Sequence, residues 1–121
     1  MNEEPIKIYI KDEIVHGEAT VPFIMDLGTA KKLVNIRLNL SDSKSYPILV
    51  DYSKMMNITK DAREYLIKEG SEGVTAGAFI TTTVVSRIWI NLFITMYRPP
   101  QPTKVFTNKQ KAVDWLKQFI K

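Results

Sequence analysis

The sequence predicts an α/β fold: a mixed sheet of about five strands, opened by a β-hairpin and packed by four helices. Three observations carry this expectation. Residues alternating at period 2 open the chain, apolar runs too short for helices recur further on, and each later run alternates with a stretch whose apolar positions lie three and four apart. The resulting string is β-β-α-β-α-β-α-β-α. No repeat, low-complexity tract or linker interrupts it, so the 121 residues are read as a single domain spanning 1–121.

In chain order, Ile6, Ile8 and Ile10 alternate with Lys7 and Tyr9, and the run from Ile14 to Glu18 follows the polar Lys11-Asp12-Glu13, which is the pattern of a hairpin. From Asp26 to Leu40, the apolar positions Leu27, Ala30, Val34 and Leu38, widened by Leu33 and Leu40, oppose Lys31, Lys32, Asn35 and Asn39. That spacing predicts an amphipathic helix with one buried face. Pro47-Ile48-Leu49-Val50-Asp51 is a short apolar run entered by a proline, as in a strand covered on both faces. Ile58, Ala62, Tyr65 and Leu66 resume helical spacing, with Thr59 as N-cap, Asp61 in the first turn and Gly70 as the stop.

Val74 to Ile80 reads as a second buried strand, carrying Gly77 where a helix can approach closely. Val84 to Tyr97 is a nearly all-apolar helix that Arg98-Pro99-Pro100-Gln101-Pro102 cannot continue. Thr103 to Phe106 gives a last strand. Thr107 and Gln110 then read as a capping box before an amphipathic helix built on Ala112, Val113, Trp115, Leu116, Phe119 and Ile120. Buried strands joined through helices predict parallel pairing in the later part of the sheet, with the hairpin as an antiparallel edge.

Composition narrows the function classes. With 45% hydrophobic and 25% charged residues the chain has ordinary globular composition, not that of a disordered segment. The absence of cysteine excludes disulfides, thiolate chemistry and Cys-ligated zinc. The first residues are acidic and lack the basic and apolar regions of a secretory signal, and the longest apolar-dominated run, 14 residues interrupted by Arg87 and Asn91, falls short of the roughly 20 of a membrane span. The expectation is cytoplasmic. Net charge is +4 and uneven: Arg98, Lys104, Lys109, Lys111, Lys117 and Lys121 face only Asp114 in the last 24 residues. A solvated helix face accounts for these lysines better than a nucleic-acid footprint, because no aromatic side chains are interleaved as a stacking platform.

Catalytic signatures are missing. His16 is the single histidine, read as a surface or edge-strand residue without a positioned partner. The adjacent acids Glu3-Glu4 and Asp12-Glu13 point to opposite faces of a strand and do not converge. No Gly-rich phosphate loop, nucleophile elbow or His-Glu-x-x-His is present, so no enzyme activity, cofactor or metal is expected.

The order of elements, with a buried strand ending in Asp51-Tyr52-Ser53 and Ile58 opening the next helix, resembles the STAS domain, the SpoIIAA-like fold. Ser86-Arg87, Asn91-Leu92-Phe93, the run from Pro99 to Thr107 and Ala112-Val113-Asp114-Trp115-Leu116 more closely resemble small uncharacterised bacterial STAS-like proteins. The resemblance covers almost the whole chain. It implies a non-enzymatic domain that binds protein partners. In the antagonist branch a serine of an Asp-Ser-Ser-Gly motif at the second helix is phosphorylated; the matching stretch here, Thr59-Lys60-Asp61-Ala62, has neither serine nor the glycine. The related CRAL-TRIO type implies a second possibility, a lipid-like ligand in an apolar cavity.

Two surfaces are candidates. The helix from Val84 to Tyr97 has one polar stripe, Arg87, Asn91 and Thr95, and a sheet covers only part of what remains. Neighbouring helices, a second copy or an apolar ligand would cover the rest. The expectation is a homodimer formed by Ile88, Trp89, Leu92, Phe93 and Met96, with a fatty-acyl ligand held beneath the helix by Arg87 or Arg98 as the alternative. Asp51, Tyr52 and Ser53 at one strand end, with Thr81, Thr82 and Thr83 at another, Thr59 and Asp61 at a helix start, and Arg87, are expected to contact a regulatory protein partner or an anion beyond the carboxyl ends of the strands. Ordinary strand-end turn chemistry is the competing explanation for them.

Overall fold

The computed structural model describes residues 6–120; Glu3, Glu4 and Lys121 lie outside the described residues. Strands β1 (Ile6–Lys11) and β2 (Ile14–Ala19) pair antiparallel with Lys11 opposite Ile14. Asp12 and Glu13 both take positive φ, 52° and 63°, giving a two-residue turn whose twist matches that of the strands. There follow β3 (Phe23–Met25), α1 (Leu27–Ser41), β4 (Tyr46–Asp51), β5 (Met55–Ile58), α2 (Lys60–Lys68), β6 (Val74–Ile80), α3 (Val84–Tyr97), β7 (Thr103–Phe106) and α4 (Lys109–Leu116), which ends in a 3-10 turn over Lys117–Phe119.

The main sheet has five strands in the order β1-β2-β4-β6-β7. Only the hairpin is antiparallel; β2 with β4, β4 with β6 and β6 with β7 are parallel. The expected mixed α/β fold with four α-helices is therefore found. Two elements depart from expectation. Phe23–Met25 and Met55–Ile58 form a second, two-stranded parallel sheet, so Ile58 closes a strand instead of opening a helix. Segments of three and four residues are too short to show a period, and their pairing is non-local.

Alternation along the strands divides the interior in two. Ile6, Ile48, Val50 and Phe79 face α1, α2 and α3 and join Met25, Leu33, Met55, Ile58, Ile90 and Phe93 in the larger core. Ile14, Leu49, Ala76, Ala78 and Ile80 face α4 and meet Ala112 and Leu116. Alanines at 76 and 78 leave room for α4 to lie close to the sheet. The long parallel strands thus carry apolar side chains on both faces, as the runs at 47–51 and 74–80 predicted.

Caps fix the helix starts. The Asp26 carboxylate accepts from the Thr29 amide at 2.8 Å, which holds that carboxyl below its ordinary pKa. Thr59 caps α2 as expected, and Thr83 caps α3 by accepting from the Ser86 amide at 3.1 Å. The capping box expected from Thr107 and Gln110 is not formed. Asn108 is the cap, accepting from the Lys111 amide at 3.0 Å, and Gln110 instead donates to Asp114. One residue of shift suffices to replace a threonine by the equally good asparagine cap that follows it.

Candidate functional site

The outer face of α3 follows from its sequence and from how it docks. Ser86, Ile90 and Phe93 point into the larger core, Trp89, Ile94 and Tyr97 are half-buried, and the Tyr97 hydroxyl accepts from Arg63 Nε of α2 at 3.4 Å. Arg63 also donates to the Ile58 carbonyl at 2.8 Å, tying β5, α2 and α3 together. With that rotation fixed, Val84, Ile88, Leu92 and Met96 form a ridge four residues apart on the outside, with Val85 beside it. Ile88 and Met96 are 59% and 58% exposed. Arg87, Asn91 and Thr95 flank the ridge, exposed as their stripe predicted.

The five residues expected to form this surface do not all share it. Ile88, Leu92 and Met96 do; Trp89 is half-buried and Phe93, at 6% exposed, packs on Tyr97 inside the core. Trp89 and Phe93 lie about a quarter-turn round the helix from the ridge, on the side where the sheet already supplies cover. Phe93 is therefore corrected from surface to core.

At the carboxyl ends of the strands the residues form two small networks. Asp51 accepts from the Ser53 amide at 2.9 Å; Ser53 Oγ accepts from the Thr82 amide at 3.1 Å, and its carbonyl accepts from Thr83 Oγ1 at 3.3 Å. Separately, Thr59 Oγ1 donates to Asp61 at 2.6 Å, and the Asp61 carboxylate accepts from the Ala62 amide at 2.9 Å. An external anion at the start of α2 would meet that carboxylate. The Tyr52 side chain belongs to neither network: it is buried edge-on against Phe79, and burial pushes its phenol up to about 12. Tyr52 is thus corrected from a contact residue to a core residue. Arg87 is exposed on the first turn of α3, its amide bonded to the Thr83 carbonyl.

His16 is also corrected. It lies on β2, between β1 and β4, and is buried with its ring stacked on Tyr9 at 5.0 Å. Its Nδ1 has no hydrogen-bond partner. Around it, Glu18 accepts from the Tyr9 hydroxyl at 2.7 Å and from Lys109 of α4 at 2.9 Å. Lys109 and Tyr9 hold the Glu18 carboxyl below its ordinary value, and Glu18 raises Lys109. Burial, then the Lys109 charge, push His16 down, with Lys11 adding a lesser push down and Glu18 and the Lys11 backbone pulling the other way.

A depressed histidine gives stability that is whole above the unfolded value of 6.5 and is lost as pH falls below it, since the unfolded chain then binds the extra proton. Urea unfolding between pH 7.5 and 5 is expected to show this loss. His16→Phe, which keeps a ring on Tyr9, is expected to flatten it, whereas losses from Glu18 begin only below its ordinary 4.5. An unchanged pH slope in the variant would refute the assignment.

Between the sheet and α1 to α3 lies a narrow cavity of about 90 Å³, walled by Ile6, Ile8, Val50, Phe79 and Phe93 and reaching Arg37. The Arg37 side chain points inward from α1, where the helical pattern sets it with Ala30, Leu33 and Val34; Leu40, expected in that face, is exposed. Neither Arg87 nor Arg98 lines the cavity. The signal for Arg37 in the sequence is its spacing, three residues beyond Val34 in the apolar stripe. Among the described residues no cluster of His, Asp and Glu could hold a metal ion, and no helix is long and apolar enough to cross a membrane.

The family model described as a domain of unknown function, DUF7793, matches residues 8–120. An uncharacterised DUF3478-family protein with a SpoIIAA-like fold from Shewanella loihica PV-4 is similar in structure, with a TM-score of 0.65 and 15% identity over 92% of this chain and 91% of that one. A protein of unknown function from Arthrobacter sp. FB24 aligns at 22% identity over 92% and 98% of the two chains, with a TM-score of 0.35. No curated protein matches. The fold is SpoIIAA-like, as the resemblance implied.

Proposed function

We propose that this chain, which belongs to the DUF7793 family of domains of unknown function, is a non-enzymatic STAS-like interaction domain of the cytoplasm that works as a homodimer through the outer face of α3. The observation that carries the reading is the exposed ridge Val84, Ile88, Leu92 and Met96. A contiguous apolar ridge of this kind on a helix held rigidly by its other face is an interaction surface, and a two-fold dimer requires only that the patch complement itself. Ridges four residues apart interdigitate at a crossing near −50°, so two α3 helices would cross at about that angle. A standard interface covers roughly 800 Å² per partner, more than the ridge alone, so Arg87, Asn91 and Thr95 form its rim.

The single histidine is buried with its ring stacked on Tyr9, which supports a packing role for it over a catalytic one. A regulatory protein partner fits the edge from Asp51 to Asp61, where Met56 is exposed between Lys54, Asn57, Lys60 and Asp61. The fatty-acyl alternative is disfavoured by size: the cavity of about 90 Å³ is well below the roughly 300 Å³ at which ordinary ligand pockets begin.

The absence of native cysteine makes a clean test available. Leu92→Cys is expected to form an intermolecular disulfide under mild oxidation, because equivalent residues at the centre of the ridge approach one another across the two-fold axis. Lys31→Cys, on the exposed side of α1, is the control. Equal slow cross-linking of both variants would count against the interface.

A further inference from the structure

Among the described residues, the larger core holds a charge without an ion-pair partner. Arg37 is only 7% exposed, yet it donates to a neutral carbonyl, that of Gly70 at 3.2 Å. Among the described residues no carboxylate lies within ion-pair distance of it; the ion pairs there join Lys109 to Glu18 and Lys117 to Asp114. Burial pushes the guanidinium's pKa down, and the charge of Glu72 opposes this only in part. A guanidinium carries five N–H donors, and an unpaired buried charge is costly, so such a group ordinarily meets an anion. The cavity supplies the space in which one would sit.

The chemistry of that space is specific. Its walls, Ile6, Ile8, Val50, Phe79 and Phe93, are apolar, and Arg37 lines it together with Gly70 and Ser71 of the loop before β6 and Pro99 and Gln101 of the loop before β7. This rim lies at the amino-terminal ends of the strands, opposite the network of Asp51, Ser53 and Thr82. One cation beside an acidic Glu72 suits a single negative charge and disfavours a phosphate dianion. An engineered cavity of about 150 Å³ holds benzene, so about 90 Å³ accommodates an apolar tail of about four carbons.

We propose that the cavity between the sheet and α1 binds a small monocarboxylate, its tail of about four carbons among Ile6, Ile8, Val50, Phe79 and Phe93 and its carboxylate on the Arg37 guanidinium at the rim. The site is independent of the α3 ridge and stands or falls without it.

The test uses the full chain with butyrate, valerate, 1-butanol and dodecanoate as probes, followed by calorimetry and thermal unfolding. Butyrate and valerate are expected to bind and to raise Tm with concentration, 1-butanol to bind at least about tenfold more weakly, and dodecanoate to bind no tighter than valerate. Arg37→Met is expected to erase the preference for carboxylate over alcohol. Should that variant not fold, the Arg37 Nε–Hε resonance of the wild-type protein serves instead and is expected to shift with butyrate but not with butanol. Absence of a carboxylate preference, its survival in Arg37→Met, or an unmoved Arg37 resonance at saturating butyrate would overturn the proposal. Tighter binding of dodecanoate would overturn its size limit and favour a fatty-acyl ligand.

Discussion

Protein carrying Ile88→Asp together with Leu92→Asp is expected to sediment as a monomer with unchanged circular dichroism, at concentrations where the wild type is a dimer. Both side chains are exposed in the single chain, Ile88 at 59%, so their replacement leaves the core intact. In a two-fold dimer each substitution acts twice. Burying a fully exposed aliphatic side chain of this size is worth about 1.5 to 3 kcal/mol, and Ile88 and Leu92 still expose 59% and 42% of theirs, so the four lost side chains weaken the dimer by about 3 to 6 kcal/mol, or about two to four decades in Kd, before the cost of placing carboxylates opposite one another. Sedimentation velocity over a concentration series reads the effect. Phe93→Asp is the contrasting variant: buried in the core, it is expected to prevent folding rather than to yield a folded monomer. A wild-type-like association constant in the double variant would place any dimer contact elsewhere.

Leu116→Ala is expected to lower stability by about 2 to 5 kcal/mol in urea unfolding, with an unchanged m-value. The side chain is fully buried where α4 meets Ile14, Leu49 and Ile80, and the neighbours Ala76, Ala78 and Ala112 are too small to move into the space it vacates. Loss of this contact also loosens α4 from the sheet and with it the Lys109 to Glu18 pair that closes over His16. Leu92→Ala, on the open ridge, is expected to change the stability of the monomer by under about 0.5 kcal/mol. A small effect at Leu116 would show that α4 is not held through this core.

Much of this architecture could be read from the chain. The hairpin was legible because Ile6, Ile8 and Ile10 keep strict alternation on one side of a polar turn, and β4 and β6 because short apolar runs with turn residues at each end have few other uses. β3 and β5 were not legible, since three or four residues carry no period and each pairs with a segment more than thirty residues away, Phe23 with Met55 and Met25 with Ile58. The α3 surface was legible in part. Ile88, Trp89, Leu92, Phe93 and Met96 form one continuous apolar arc, and nothing local says where along the arc the sheet ends and solvent begins; that boundary is set by tertiary contacts such as Arg63 to Tyr97. Tyr52 and His16 were misplaced for a related reason. A polar tip on an aromatic body reads as surface, whereas packing against Phe79 and Tyr9 decides the matter in the fold. Arg37 was not legible as a site residue because a charge in an apolar stripe also looks like the stripe's edge, and the cavity beside it decides between the two.

The central claim is that the outer ridge of α3 joins two copies of the chain. Native mass spectrometry of freshly isolated wild-type protein tests it most directly, since one spectrum reports both subunit number and any retained small molecule. A predominant species of twice the chain mass, converted to single chains by Ile88→Asp with Leu92→Asp, is the predicted result. A species of one chain mass at every concentration would contradict it.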